Sequence, residues 1–204
     1  MTIKTCFFDM GNVLVYFSHD LMYQNVATLT GLSVAEVKRI FVAEGQLAAL
    51  ETGTITAQQL CETVRAACGA SLQTEELCEA MSAIFCLNES IIPLLEELRA
   101  TGKRLVLLSN TSLPHLEYVQ RNYTFLTLFD DMVTSFAAGA MKPSPAIFEA
   151  ALRKANCSAS ECFYTDDIEQ YIQQAESMGI HSLTYTDTPA LREKLQQLGA
   201  LQPA

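Results

Sequence analysis

Asp9, Ser109, Lys142 and the pair Asp166-Asp167 are the residues of this chain whose types and order could do chemistry together. Asp9 closes the apolar run Cys6-Phe7-Phe8 and opens the turn Met10-Gly11-Asn12-Val13. Ser109 closes Leu105-Val106-Leu107-Leu108 and is followed by Asn110-Thr111. Asp166-Asp167 ends Cys162-Phe163-Tyr164-Thr165, and Lys142-Pro143 stands at the opening of a helix. Acid, hydroxyl, cation and acid pair are the groups a phosphoryl-transfer site needs. A carboxylate can attack phosphorus and form an aspartyl-phosphate. An anionic nucleophile must then approach an anionic phosphate, which calls for a divalent cation and a positive side chain. Mg²⁺ favours oxygen ligands, usually one or two carboxylates with substrate oxygen and water, and Asp9 and Asp167 can supply them. Lys142 can screen the phosphoryl oxygens and Ser109 can donate to one, so that catalysis is mostly positioning and electrostatics. Taken singly, each residue has an ordinary reading as a turn former, a solvated loop residue or a helix cap. Their joint placement at strand ends is what those readings leave unexplained.

The elements that must position these groups alternate. Residues 3–8 and 104–108 are short apolar runs of the buried parallel-strand kind. Met132–Ser135, Cys162–Thr165 and His181–Tyr185 are further strand candidates. Helical patterns lie between them: Ile91–Ala100, Pro145–Ala155, Ile168–Met178 ending at Gly179, and Pro189–Leu198 capped by Thr188. This alternation predicts βαβ units and a parallel, doubly wound sheet. In such sheets ligands bind beyond the carboxyl ends of the strands, where Asp9, Ser109, Asp166 and Asp167 fall. Residues 16–88 break the alternation and read as helix after helix. Ser33-Val34-Ala35-Glu36 is a capping box, Thr56 caps a helix through Cys68, and Thr74 caps another through Phe85. No strand period intrudes, so a helical insertion follows the first strand. Leu201–Ala204 are expected to fray.

Composition narrows the function further. With 204 residues, half of them apolar and 18% charged, the chain can bury a sizeable core. Its apolar runs are far below membrane-spanning length. The net charge of −10 argues against nucleic acid and anionic membranes as partners, but a small phosphate ester needs only one local cation and a metal. The seven cysteines show no metal-ligand spacing and read as reduced thiols. With no leader pattern before the first strand, the cytoplasm is the expected compartment.

The four motifs, in this order and across the whole chain, resemble those of haloacid dehalogenase-like (HAD) hydrolases. The family's first motif, Asp-x-Asp-x-Thr/Val, reads Asp9-Met10-Gly11-Asn12-Val13 here; the strand-end hydroxyl is Ser109, the cation Lys142, and the acidic pair Asp166-Asp167. The chain is further similar to the subgroup of small α-D-glucose-1-phosphate phosphatase-like enzymes. It shares their Gly-Asn-Val turn, the segment Glu51-Thr52-Gly53-Thr54-Ile55, and a Ser-Asn-Thr motif followed by a His, here His115. The resemblance implies an α/β fold with a Rossmann-like parallel-sheet core, residues 1–15 and 89–204. A small all-helical cap, residues 16–88, is inserted after the first strand. It implies a Mg²⁺-dependent phosphatase acting on a small phosphorylated metabolite, possibly a sugar phosphate. Asp9 would be nucleophile and metal ligand, Gly11 a ligand through its carbonyl and Asp167 the direct carboxylate, with Asp166 acting through water or from behind the direct ligands. Ser109, Asn110 and Lys142 would hold the phosphoryl group.

Two positions depart from the pattern. Gly11 replaces the usual acid/base Asp, a group worth about 10²–10⁴-fold in rate, and Tyr171 stands where the fourth motif often carries Asp or Asn. His19 and His115 are candidate replacements for the acid, each with an ordinary reading as a packing histidine; His181 reads as structural. Tyr16, Phe17 and Tyr23 can line a substrate pocket or pack the helices. Two other functions remain open: a HAD-fold binding protein without turnover, motivated by Gly11 and Tyr171, and a haloacid dehalogenase, which needs no metal.

Overall fold

Side chains alternate along the central strands, and that period-2 alternation builds two apolar layers. Cys6, Phe8, Leu105, Leu107 and Phe163 enter one layer, and Phe7, Val106, Leu108, Cys162 and Tyr164 enter the other. The computed structural model describes residues 2–202; Pro203 and Ala204, part of the segment expected to fray, lie outside them.

Five parallel strands form the sheet: β1 (Thr5–Phe8), β4 (Arg104–Ser109), β5 (Asp131–Thr134), β6 (Cys162–Asp166) and β7 (His181–Thr184). Their spatial order is β5-β4-β1-β6-β7. The chain runs outward to one side of β1, then returns to its other side, so β1 lies at the topological switch point. Two further strands, β2 (Val15–Tyr16) and β3 (Cys86–Leu87), form a separate antiparallel ribbon. This corrects the expectation that no strand interrupts the helical segment. The ribbon brackets that segment, and two residues per strand are too short to show a period.

Helices between the ribbon strands are α1 (His19–Thr30), α2 (Val34–Lys38), α3 (Gln46–Glu51), α4 (Ala57–Cys68) and α5 (Thr74–Ser82), with a π-helical turn at Arg39–Ala43. They bury a core of their own, including Met22, Val26, Phe41, Leu60, Val64 and Leu77. Ser33 and Thr56 cap α2 and α4 in reciprocal boxes with Glu36 and Gln59. Helix α5 differs from expectation. Gln73 is its N-cap, with Glu76 accepting from the Gln73 amide at 3.0 Å, and it stops at Ser82 rather than Phe85.

The sheet is flanked by α6 (Ile92–Ala100), α7 (Leu113–Asn122), α8 (Ser135–Ala138), α9 (Pro145–Ala155), α10 (Glu169–Ser177) and α11 (Thr188–Gln197). Two starts differ from expectation. Asp187, not Thr188, caps α11, its carboxylate accepting from the Ala190 amide at 2.8 Å. Ser144-Pro145, not Lys142-Pro143, opens α9. A carboxylate at the start of α11 also meets the helix dipole favourably, and Thr188 instead approaches Ser90 at 2.7 Å. Asn88 fixes the exit from the ribbon: its side-chain amide donates to the Val13 carbonyl and to Tyr185 Oη, each at 2.8 Å. Among the described residues no helix is long and apolar enough to cross a membrane.

Candidate active site

Register brings the strand-end groups to one level. Phe8 pairs with Leu107 on one side and Thr165 on the other, so Asp9 emerges beside Leu108 and Asp166. The Asp9 amide donates to the Thr165 carbonyl at 3.0 Å. Ser109 follows at the end of β4, buried. After Asp9 the chain must turn sharply. Asn12 makes that turn with φ 54°, a conformation Asn tolerates better than most residues. Its side-chain amide donates to Asp167 Oδ2 at 3.0 Å, joining the first and fourth motifs.

Lys142 is the hub. Its Nζ donates to Asp9 Oδ1 at 2.7 Å, to Asp166 Oδ2 at 2.5 Å and to the Leu108 carbonyl at 3.0 Å. It is 3% exposed, Asp9 8% and Asp166 0%, so the charges are shielded from water. A buried ammonium is tolerable only when its donors are filled, and three acceptors do so here. The rings of Tyr164 and Tyr171 flank it, with centroids 5.7 and 5.3 Å from Nζ. Asn110 latches the Lys142 backbone from both ends, accepting from its amide at 2.8 Å and donating to its carbonyl at 3.1 Å. The Asn110 side chain is thereby committed to holding Lys142 in place.

Asp166 is satisfied all round: Tyr164 Oη and Lys142 on Oδ2, and the Ile168 amide on Oδ1 at 2.9 Å. Asp167 is more open. One carboxylate oxygen from each of Asp9, Asp166 and Asp167 lies within 4.8 Å of the others. An all-oxygen cluster of this charge suits a hard divalent cation such as Mg²⁺. Burial pushes the Asp9 carboxyl up to about 7, with the Lys142 ammonium opposing and Asp166 adding to the rise. Burial alone would lower Lys142, but Asp9 and Asp166 hold it above its ordinary value.

Asp9, Ser109, Asn110, Lys142 and Asp167 open onto a cavity of about 200 Å³. Its walls include Phe17, Ile84, Phe85 and Met141, and its polar lining includes His19, Glu51, His115 and Tyr171. A larger cavity of about 490 Å³ lies elsewhere, between α5 and α7, and includes none of Asp9, Ser109, Lys142 or Asp167. Gly11 has a local cause. A Cβ there would come within 2.6 Å of Phe17 Cε1. The Phe17 ring, stacked edge-on against His19 at 5.0 Å, fills the space a side chain at position 11 would need.

Of the three aromatics singled out in the helical segment, Phe17 lines this cavity. Tyr16 is exposed, and Tyr23 is buried against Phe41. His115 is buried, its Nε2 without a partner among the described residues. Burial pushes it down to about 4, with His19 adding to the fall. Burial also lowers His19, against the pull of Asp20. His181 begins β7, away from the cavity. Glu51 is the lining residue that sequence reasoning did not assign a role. It belongs to a segment singled out only for its resemblance, and nothing in the local pattern says that it lines the cavity over Asp9.

The family model for haloacid dehalogenase-like hydrolases matches residues 3–179. The D-ribitol-5-phosphate phosphatase of Bacteroides thetaiotaomicron is 26% identical over 203 residues, 95% of this chain and 97% of its own. The sesquiterpene phosphatase astK of Aspergillus oryzae is 29% identical over 105 residues, so the match spans 52% of this chain and 54% of that relative. A crystal structure of a HAD family enzyme from Bacteroides thetaiotaomicron, in complex with magnesium and inorganic phosphate, superposes with a TM-score of 0.82 at 25% identity. It covers 93% of this chain and 98% of that one.

Proposed function

The chain belongs to the haloacid dehalogenase-like hydrolases, and on that premise we propose that it is a Mg²⁺-dependent phosphatase of a small phosphorylated metabolite. The observation that carries the reading is the buried Lys142 bridging Asp9 and Asp166 at the switch point, with Asp167 completing a three-carboxylate cluster. Relatives named as phosphatases, and a structural neighbour holding magnesium and phosphate, support it.

Asp9 is the nucleophile. Its carboxylate attacks phosphorus, the ester oxygen leaves, and water then hydrolyses the aspartyl-phosphate. Lys142 holds Asp9 Oδ1 and places positive charge beside the phosphoryl oxygens, while Ser109 donates to one of them. Asn110 acts on the phosphoryl group through Lys142, whose backbone it grips. Asp9, the Gly11 carbonyl and Asp167, with Asp166 behind them, would hold a Mg²⁺ ion, which would supply charge neutralisation between nucleophile and phosphate. Asn12 orients Asp167 for that task.

In this reading residues 16–88 are the cap and residues 1–15 with 89–204 the catalytic core. The cavity over Asp9, about 200 Å³, limits the substrate to a small ester. Its mix of apolar walls with His and Glu suits a polyol or sugar phosphate. The seven free cysteines suit a reducing compartment, and we place the activity in the cytoplasm. The test is phosphate release from a panel of sugar and polyol phosphates with and without Mg²⁺. Release that needs the metal supports the reading. Halide release from 2-haloacids without metal would favour the dehalogenase alternative, and ligand binding without turnover the degenerate one.

A further inference from the structure

Gly11 cannot supply the proton that a departing alkoxide needs, and Phe17 occupies the space from which a neighbouring carboxylate would supply it. The acid must therefore come from another wall of the same cavity. Three titratable groups there belong neither to the carboxylate cluster nor to its immediate neighbours: His19, His115 and Glu51. Neutral His115 is a poor acid, since burial holds it well below its ordinary value. The His19 ring is engaged in packing, edge-on to Phe17 at 5.0 Å and 6.3 Å from the ring of Tyr23. That leaves the carboxyl on the last residue of α3.

We propose that Glu51, which lines the cavity onto which Asp9 opens, is the general acid and base of the reaction. The proposal rests on the phosphatase reading. Its geometry is built rather than incidental. Gly53, two residues on, has φ 70°, and a Cβ there would stand 2.4 Å from the Phe136 carbonyl oxygen. The end of α3 is thus pressed against the start of α8, which follows β5 of the sheet. Thr52 and Thr54 close that end, donating to the Ala48 and Ala49 carbonyls, each at 2.9 Å. The segment joins the helical insertion to the sheet and presents Glu51 to the cavity.

The surroundings suit the task. Glu51 has no hydrogen-bond or ion-pair partner among the described residues, and burial alone pushes it up to about 7. An acid poised near operating pH is the most effective proton donor. The charged and titratable groups around it are few. Asp9, Lys142, Asp167, His19, His115 and Tyr171 share its cavity, Tyr23 of α1 lies close enough to feel its charge, and Arg39 and Glu44 of the adjoining turn pair with each other.

The proton balance closes. As the Asp9 oxygen–phosphorus bond forms and the phosphorus–ester oxygen bond breaks, the Glu51 carboxyl gives its proton to the leaving oxygen. The alcohol departs. The Glu51 carboxylate then takes a proton from the attacking water as the water oxygen–phosphorus bond forms and the aspartyl bond breaks. Phosphate leaves and Glu51 is again protonated.

The experiment compares wild type with Glu51→Gln on an alkyl phosphate and on p-nitrophenyl phosphate, whose leaving group needs no proton. The expected loss in kcat/KM is about 10²–10⁴-fold on the alkyl ester and little on the aryl ester. The aryl ester should instead give a stoichiometric burst of nitrophenol followed by slow turnover, because hydrolysis of the phosphoenzyme has lost its base. A second measurement needs no variant: wild-type kcat/KM should rise on both esters as Asp9 ionises, then above about pH 7 fall on alkyl esters and hold level on the aryl ester. Equal losses on both esters, or no loss on either, overturn the assignment while Asp9-dependent release keeps the phosphatase reading. No Asp9-dependent release by wild type overturns both.

Discussion

Lys142 Nζ lies 2.7 Å from Asp9 Oδ1 across a span of 133 residues, and both groups are almost wholly removed from water. Removing the ammonium strands two buried carboxylates. Lys142→Met is expected to destabilise the fold by about 3–5 kcal/mol, the usual cost of breaking a buried pair. The Asp9 pKa, already raised by burial, rises further without its partner. A raised carboxyl binds its proton more tightly in the folded state, so the deficit is largest above the folded pKa and shrinks as pH falls through it. Urea unfolding of both proteins across pH 5 to 8 checks size and direction.

Asn110 grips the backbone of Lys142 at both its amide and its carbonyl. Asn110→Ala leaves two partly buried backbone groups without that partner, a loss of about 1–3 kcal/mol for an unsatisfied group. If Asn110 acts by placing Lys142, kcat should fall and KM should change little. Steady-state kinetics with thermal unfolding on the same preparation separate that from simple destabilisation.

His115 is buried neutral, its pKa pushed from 6.5 to about 4. The unfolded chain therefore binds the extra proton first, and stability is lost as pH falls from 6.5 towards 4. The displacement corresponds to about 3 kcal/mol. His115→Leu should remove that part of the slope. Glu51 acts with the opposite sign: protonated in the folded state up to about 7, it lowers stability as pH rises from 4.5. Comparing each variant with wild type at pH 4 and pH 7 isolates the two contributions.

Gly11 and Phe17 are coupled through a contact that a single methyl group would violate. Gly11→Ala is expected to cost about 1–3 kcal/mol by overpacking. Phe17→Ala should relieve most of that, so the double-mutant cycle should show a clear interaction energy. Additive effects would mean that the ring moves aside freely.

The central strands and their end groups were legible because β1 and β4 are contiguous apolar runs closed by Asp9 and Ser109, and the β6 run ends in the acidic pair. Asp9, Ser109 and Asp166 needed only the order of elements to bring them together. Three α-helix starts were misplaced by one to two residues where a nearby capping group competed, as Gln73 did with Thr74 and Asp187 with Thr188. The β2–β3 ribbon is too short to carry a period. Asn110 as a latch was not legible, because it depends on where the Lys142 loop crosses β4. Glu51 and the Gly11–Phe17 contact depend on how the helical insertion folds over the sheet, and sequence spacing holds no record of that.

The most direct test of the central claim is to look for the phosphoryl group on Asp9. The protein is mixed with a small phosphate ester and Mg²⁺, quenched in acid within a turnover, and mapped by peptide mass spectrometry. The account predicts one added phosphoryl group on the peptide carrying Asp9, absent in Asp9→Asn and absent without Mg²⁺. Phosphate release that continues in Asp9→Asn, or that proceeds with no phosphoryl group on that peptide, would contradict it.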